Sequence, residues 1–352
     1  MTAHRKGTAR RNILIVSGAA VAAFLAAGPL LAVTAAGAAP AHYTRYTHRP
    51  HPTHTPTPTS TPTAPTSAPS TVSPTPTTTA PTTPSGSVGA GPNGVPAGTV
   101  LTVYTGPTTC SAGTLTIHDQ TVNNDLTTTG SCQLVVTDSL INGQVDGCDS
   151  QPNCSVYIAD SEVNGGNNTG AAVGYNNLTL LRDNIHGGAS AVDAAGNVTV
   201  DGSHLWGQYL GPNAATHNNG FLSNGGSNLT LTNSTVACDV NDNTSGGGCT
   251  GPIALFGDFA QISNATIDNN YVVETPGGYS ATFGCNPGKS YPTPAGVTVA
   301  GNVFQIWSTP QNNGGFYGGY YGTVTGFYDG NGDVWGAGNV TDSGSPVDDP
   351  GC

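Results

Sequence analysis

Eight stretches of the chain share one pattern of apolar and polar positions. Apolar residues stand at the first and third places, a small or polar residue near the sixth, and an apolar residue near the eighth. The stretches are LTIHDQTV from Leu115, LVVTDSLI from Leu134, VYIADSEV from Val156, LTLLRDNI from Leu178, VTVDGSHL from Val198, LTLTNSTV from Leu229, AQISNATI from Ala260 and VTVAGNVF from Val297. Their starts lie 19, 22, 22, 20, 31, 31 and 37 residues apart. Two-residue alternation of Val, Ile, Leu and Thr predicts strands, and the Gly, Asn and Asp between them supply left-handed turns. A short period that lengthens by insertion predicts a solenoid whose extra residues bulge out as loops. Further short strands are expected at 170–174, 190–194, 220–223 and 253–256. A leucine-rich repeat needs its own spaced leucines, and a helical array needs a 3.6-residue period with few glycines; neither is present. The pattern predicts an all-β fold, a parallel β-helix whose like positions stack about 4.8 Å apart.

Upstream the pattern breaks twice. Arg5, Lys6, Arg10 and Arg11 precede a long apolar run that ends in small residues, the layout of a secretory signal over 1–39. The run is long enough for an uncleaved anchor, but its Gly and Ala content and its Ala36-Gly37-Ala38 end favour cleavage, leaving no stable membrane span. The Arg10-Arg11 pair leaves Sec and Tat export both open. Residues 40–94 are a Thr/Pro/Ser-rich segment without side chains to build a core, expected to be a disordered, extended spacer. His42, His48, His51 and His54 near its start offer metal ligands or form a solvated cluster. The β-helix domain is placed at 95–352.

Charge narrows the partners. All twenty carboxylates fall in this domain against Arg182 and Lys289 alone, a net −18 with histidines neutral. Such a surface excludes nucleic acid, which needs many Lys and Arg contacts to phosphate. It also suits a polyanionic glycan poorly unless cations bridge the two. Eight cysteines behind a secretion signal read as disulfides. Sequence proximity pairs them as Cys110–Cys132, Cys148–Cys154, Cys238–Cys249 and Cys285–Cys352. No C-x-x-C pair points to zinc.

The stretches GAAVGYNNLTLLRDNIHGGASAVDAAGNVTVDGSHLWG, HNNGFLSNGGSNLTLTNSTV and TVTGFYDGNGDVWGAGNV resemble the secreted right-handed parallel β-helix proteins of actinobacteria, of pectate-lyase-like architecture. The resemblance runs from about residue 95 to the end. It implies a right-handed, single-stranded solenoid and a link to polysaccharide. Members usually read His-Asn-Asp-Gly where this chain has His217-Asn218-Asn219-Gly220. An Asn cannot take a proton, so any base at that position is lost here.

The repeat register locates the candidate chemistry. His186 follows the last apolar position of its repeat and His204 precedes that position in the next, so both are expected to point outwards from one sheet on adjacent coils. His217, in the loop after His204, is expected to join them, with Asp193, Asp201 and Asn219 in reach. His186, His204, His217 and Asp193 are the candidate acids and bases. Arg182 is the candidate cation for a lyase, or else a lone arginine paired with Asp183 or Asp160. Asp193 and Asp201 are the carboxylate pair an inverting hydrolase would use. Asn219, Trp206, Trp307 and Tyr320 are the candidate substrate-binding residues. The C-terminal aromatics either stack on sugar rings or cap the open end of the solenoid. No cofactor is assigned; calcium is the metal that turns such as DVNDNTSGGG (239–248) could hold. The expected function is action on, or binding of, extracellular or cell-wall polysaccharide by a monomer, as a lyase before a hydrolase. The alternative is a non-catalytic glycan-binding or structural surface protein.

Overall fold

The computed structural model describes residues 93–149, 151 and 153–352. The signal expected at 1–39 and the linker at 40–94, with its histidines, lie outside the described residues except for Asn93 and Gly94. Among the described residues there is no helix, and hence none long and apolar enough to cross a membrane.

The strands of the described residues form two parallel sheets. The smaller has ten strands stacked in chain order: Thr102–Val103, Gln120–Val122, Leu140–Asn142, Glu162–Asn164, Asn184–His186, His204–Trp206, Thr235–Val236, Tyr271–Val272, Val303–Phe304 and Val340–Thr341. The larger has fourteen strands. In the middle coils these run long, as Ala171–Leu181 and Ser190–Asp201. Later coils break the same path in two, as His217–Ser223 with Gly226–Thr232 and Gly248–Leu255 with Ile262–Asp268. This is an all-β stack of parallel strands, consistent with a parallel β-helix.

Stacking turns each apolar place of the repeat into a row through the core. Ile117, Val136, Ile158, Leu180, Val200, Leu231, Ile267 and Val299 pair in sequence across the larger sheet. Val122, Ile141, Val163, Ile185, Leu205, Val236, Val272 and Phe304 do so across the smaller. All are buried, and each contributes about 1.5–3 kcal/mol by leaving water.

The turn into the smaller sheet carries a second row that is polar and buried. Ser139, Ser161, Asp183, Ser203, Ser234, Asn270, Asn302 and Asn339 each accept a hydrogen bond from a backbone N–H of the preceding coil, at 3.0–3.1 Å. Each N–H belongs to the matching residue one coil earlier, from Gln120 to Asn302. Beside them runs a row of left-handed residues, Asp119, Asp138, Asp160, Arg182, Asn233 and Asn269, with Gly202 and Gly301 at the same place. Asn and Asp tolerate that conformation, glycine has no Cβ to clash, and Arg182 is the exception.

The disulfides pair as expected: Cys110–Cys132, Cys148–Cys154, Cys238–Cys249 and Cys285–Cys352, with Cα–Cα distances of 5.3–5.8 Å. The register differs from expectation once. Leu229 pairs with Ala265 rather than Ala260, and Ala265 with Val297. The true repeat there is ATIDNNYV, because Ile262 and Ala265 fit the template with a five-residue slip. Coils at Thr102 and Val334 extend the stack at both ends.

Candidate functional site

In the smaller sheet Val163, Ile185 and Leu205 point inwards, so their neighbours point out. Register places Glu162, Asn184 and His204 in one outer row, and Asn142, Asn164, His186 and Trp206 in the next. The side chains engage one another. The His186 ring Nε2 lies 2.9 Å from Glu162 Oε1. The Trp206 indole N–H donates to Asn184 Oδ1 at 2.7 Å. The indole stacks on both imidazoles, with ring centroids 5.0 Å from His186 and 5.6 Å from His204. Burial holds the His204 imidazole below its usual value; Asp239 opposes this, and His186 adds to it. A neutral imidazole keeps one donor and one acceptor.

Glu162 and Asn184 are members that reading the sequence missed. The signal was available, since both occupy the seventh place of their repeats, as His204 does in VTVDGSHL.

The outer row leads into a cavity of about 300 Å³ lined by Asp125, Asn142, Gly143 and residues 164–168. Gly165 N–H, on its wall, donates to the His186 carbonyl at 2.8 Å. Amides and a carboxylate offer both donors and acceptors to a polar ligand.

A second group lies on the larger sheet. Gly174 pairs with Asp146 on one side and Asp193 on the other, so two carboxylates flank a position without a side chain. Two strand spacings put their Cα atoms about 10 Å apart. Burial pushes the Asp193 carboxyl up to about 6. Burial, then Asp149 and Asp125, push Asp146 up as well. Tyr175, next to Gly174, is raised first by burial and then by Asp193, Asp146 and Asp149.

The remaining expected residues separate. His217 does not join His186 and His204 in their sheet: it opens a strand of the larger sheet, opposite Gly248, and is exposed. Each coil passes from the smaller sheet to the larger after its short strand, as from His186 to Ser190, and His217 lies past that passage. Asn219 is buried, its Oδ1 accepting from the Thr250 hydroxyl and its Nδ2 donating to the His217 carbonyl, so it faces no ligand. Arg182 is clamped on Asp160 by two bonds of 2.7 and 2.6 Å. Lys289 lies 2.9 Å from Asp258. Asp201 accepts from Thr232 and Asn233 and stands eight residues from Asp193 on the same strand, so the two carboxylates do not face one another. Trp307 is half-buried and Tyr320 exposed, the latter edge-on to Tyr321. In the turn considered for calcium, Asn243 clasps the loop by donating to the carbonyls of Gly211 and Ala214. Among the described residues one group, His118, Asp119 and Asp138, gathers potential metal ligands. Each offers one ligand atom, and these atoms lie within 4.8 Å of one another; the ring nitrogens face Asp119 and Asp138 at 3.1 and 3.3 Å.

No family model matches the chain, and no curated protein or solved structure does either. What the fold and the site define is a class: an all-β stack of parallel strands with a histidine–tryptophan row on one outer face.

Proposed function

We propose that this is a secreted, right-handed β-helix protein that binds a neutral extracellular or cell-wall polysaccharide along the outer face of its smaller sheet. The observation that carries the reading is the continuous row from the Asn142–Asn164 cavity through His186 to Trp206. Amides and the Glu162–His186 pair would meet hydroxyls, and Trp206 would supply the apolar ring surface that sugars stack on. Neutrality follows from the net −18 of the domain. The four disulfides fit an oxidising, extracellular setting. The resemblance to secreted actinobacterial β-helix proteins points the same way.

A lyase is disfavoured, because both cations among the described residues are already held by carboxylates and neither is free to stabilise a developing anion. One observation favours a hydrolase as the second reading: the Asp146–Gly174–Asp193 notch, where a raised carboxyl could protonate a leaving oxygen and its partner could activate water.

Calorimetric titration with neutral and uronate-rich polysaccharides tests both. Binding to a neutral chain is expected, and Trp206→Ala should weaken it at least about tenfold, a loss of about 1.4 kcal/mol or more, with the melting temperature kept. Full affinity in Trp206→Ala, or binding to uronate chains alone, would overturn the binding site. Release of reducing ends that stops in Asp193→Asn would move the function to the notch.

A further inference from the structure

We infer that His118, Asp119 and Asp138 hold one divalent transition-metal ion of the zinc class, which ties two adjacent coils together. The three residues belong to a square of four. His118 pairs with Thr137 across the larger sheet, and Asp119 and Asp138 follow them at the corner. Consecutive residues of a strand point to opposite faces. Here the corner residues are left-handed, with φ of 54° and 51°, so the alternation stops and both carboxylates come to lie beside the imidazole. His118 Nε2 is 3.1 Å from Asp119 Oδ2, and its Nδ1 is 3.3 Å from Asp138 Oδ2. One nitrogen and two carboxylate oxygens thus gather within 4.8 Å of one another. The three side chains are 57%, 47% and 30% exposed, which leaves them free to rotate onto one ion at bond lengths of about 2.0–2.2 Å.

Charge favours a cation at this corner. Asp119, Asp138 and Asp160 occupy the same place on three successive coils, each donating its N–H to the coil that follows. The stack therefore sets like charges about 4.8 Å apart. Among the described residues both fixed cations are taken: Arg182 gives its two bonds to Asp160, and Lys289 is held by Asp258. Further along the same corner each step joins a donor to an acceptor, as Asn233 donates to Asp201 and Asn269 to Asn233. Asp119 and Asp138 have no such arrangement. Their two negative charges match one divalent ion.

The donor set selects the metal. Calcium takes about 6–8 oxygen ligands, and magnesium keeps several waters. An imidazole nitrogen beside two carboxylates suits zinc and its first-row neighbours instead. The Thr137 hydroxyl, 2.9 Å from His118 Nδ1, steadies the ring as outer-shell partners of metal-bound imidazoles do. Water completes the coordination at so exposed a site.

The experiment is calorimetric titration of the whole, chelator-stripped protein with zinc chloride at neutral pH. The native protein is expected to bind one ion per chain more than His118→Ala does. Asp138→Asn should weaken that ion at least about tenfold; the left-handed corner tolerates the change, since asparagine stands there at Asn233 and Asn269. Asp268→Asn, which removes a carboxylate elsewhere on the sheet, should leave it bound. Zinc should raise the melting temperature of the native protein and not that of His118→Ala, because an ion bound only by the folded state stabilises it. No saturable zinc binding would overturn the proposal. So would an isotherm identical in His118→Ala, which would assign the ion to the histidines upstream. Displacement of the zinc by an equal concentration of calcium would overturn it as well.

Discussion

Asp183 is the one carboxyl in a buried row otherwise made of serine and asparagine, and replacing it with asparagine should stabilise the protein. Its Oδ1 accepts the Ser161 N–H at 3.0 Å, while Oδ2 is buried without a partner. The neighbouring Arg182 does not compensate, because its guanidinium is turned to Asp160. Burial therefore raises the Asp183 carboxyl well above its usual range, with the Ser161 and Leu181 backbone bonds only partly opposing. A carboxyl raised on folding contributes its full stability below its unfolded value, about 3.9, and that contribution is lost as pH rises through its folded value. Keeping the carboxyl protonated in the folded state is therefore a cost that grows as pH rises above about 3.9. Asparagine removes the titration and adds a donor. In later coils Asn270, Asn302 and Asn339 donate to the carbonyls of Leu231, Ile267 and Val299. The matching carbonyl at position 183 is that of Ile158, by the register of the core row. Asp183→Asn should thus gain at least about 1 kcal/mol at pH 7 from the added bond alone, which is about 2–4 °C of melting temperature. Thermal unfolding of both proteins from pH 4 to pH 8 is the assay. The gap should narrow towards pH 4, where only the contribution of the added donor, about 1 kcal/mol, remains. A variant less stable at pH 7, or a gap that ignores pH, would show that Asp183 is ionised and needed as such.

Three further outcomes are expected. Removing Cys285–Cys352, whose partners are 67 residues apart, should cost about 4 kcal/mol, against about 2 kcal/mol for Cys148–Cys154 with a separation of 6; equal losses in denaturant titrations would contradict the loop-closure account. Arg182→Gly should leave stability unchanged or raise it. It trades an exposed ion pair worth at most about 1 kcal/mol for relief of a left-handed φ of 56° costing about 1–2 kcal/mol; a melting temperature well below that of the native protein would refute this. If the notch hydrolyses glycans with Asp193 as acid, the rate should fall as pH rises through about 6, and Asp193→Asn should lower it by about 10²–10⁴-fold. A rate flat from pH 4 to pH 8 would exclude that role.

The fold was readable because its determinant is periodic. Each coil repeats the same apolar places, so LTIHDQTV and LTLTNSTV announce one core row without any knowledge of loops. The error at Ala260 arose where insertions are longest and Ile262 offers a false match to the template. His186, His204 and Trp206 could be placed together because they sit within or beside the repeat and inherit its register. His217 and Asn219 could not, because the chain between Trp206 and His217 obeys no period. The Asp146–Asp193 pairing depends on which residues of two bent strands fall opposite Gly174, and alternation alone does not fix that.

The buried Ser/Asn row makes the coil an exchangeable unit. Along the row each coil asks its neighbour for one acceptor, and serine, asparagine or, once, Asp183 answers with the same 3.0–3.1 Å bond. The row takes no account of how many residues lie between acceptors, which is 22 from Ser139 to Ser161 and 36 from Ser234 to Asn270. Loops can therefore lengthen on one side while the joint between coils stays the same. Deleting residues 140–161 would bring Ser139 directly onto Asp183 with both core rows still in step, so the molecule can change its length by whole coils.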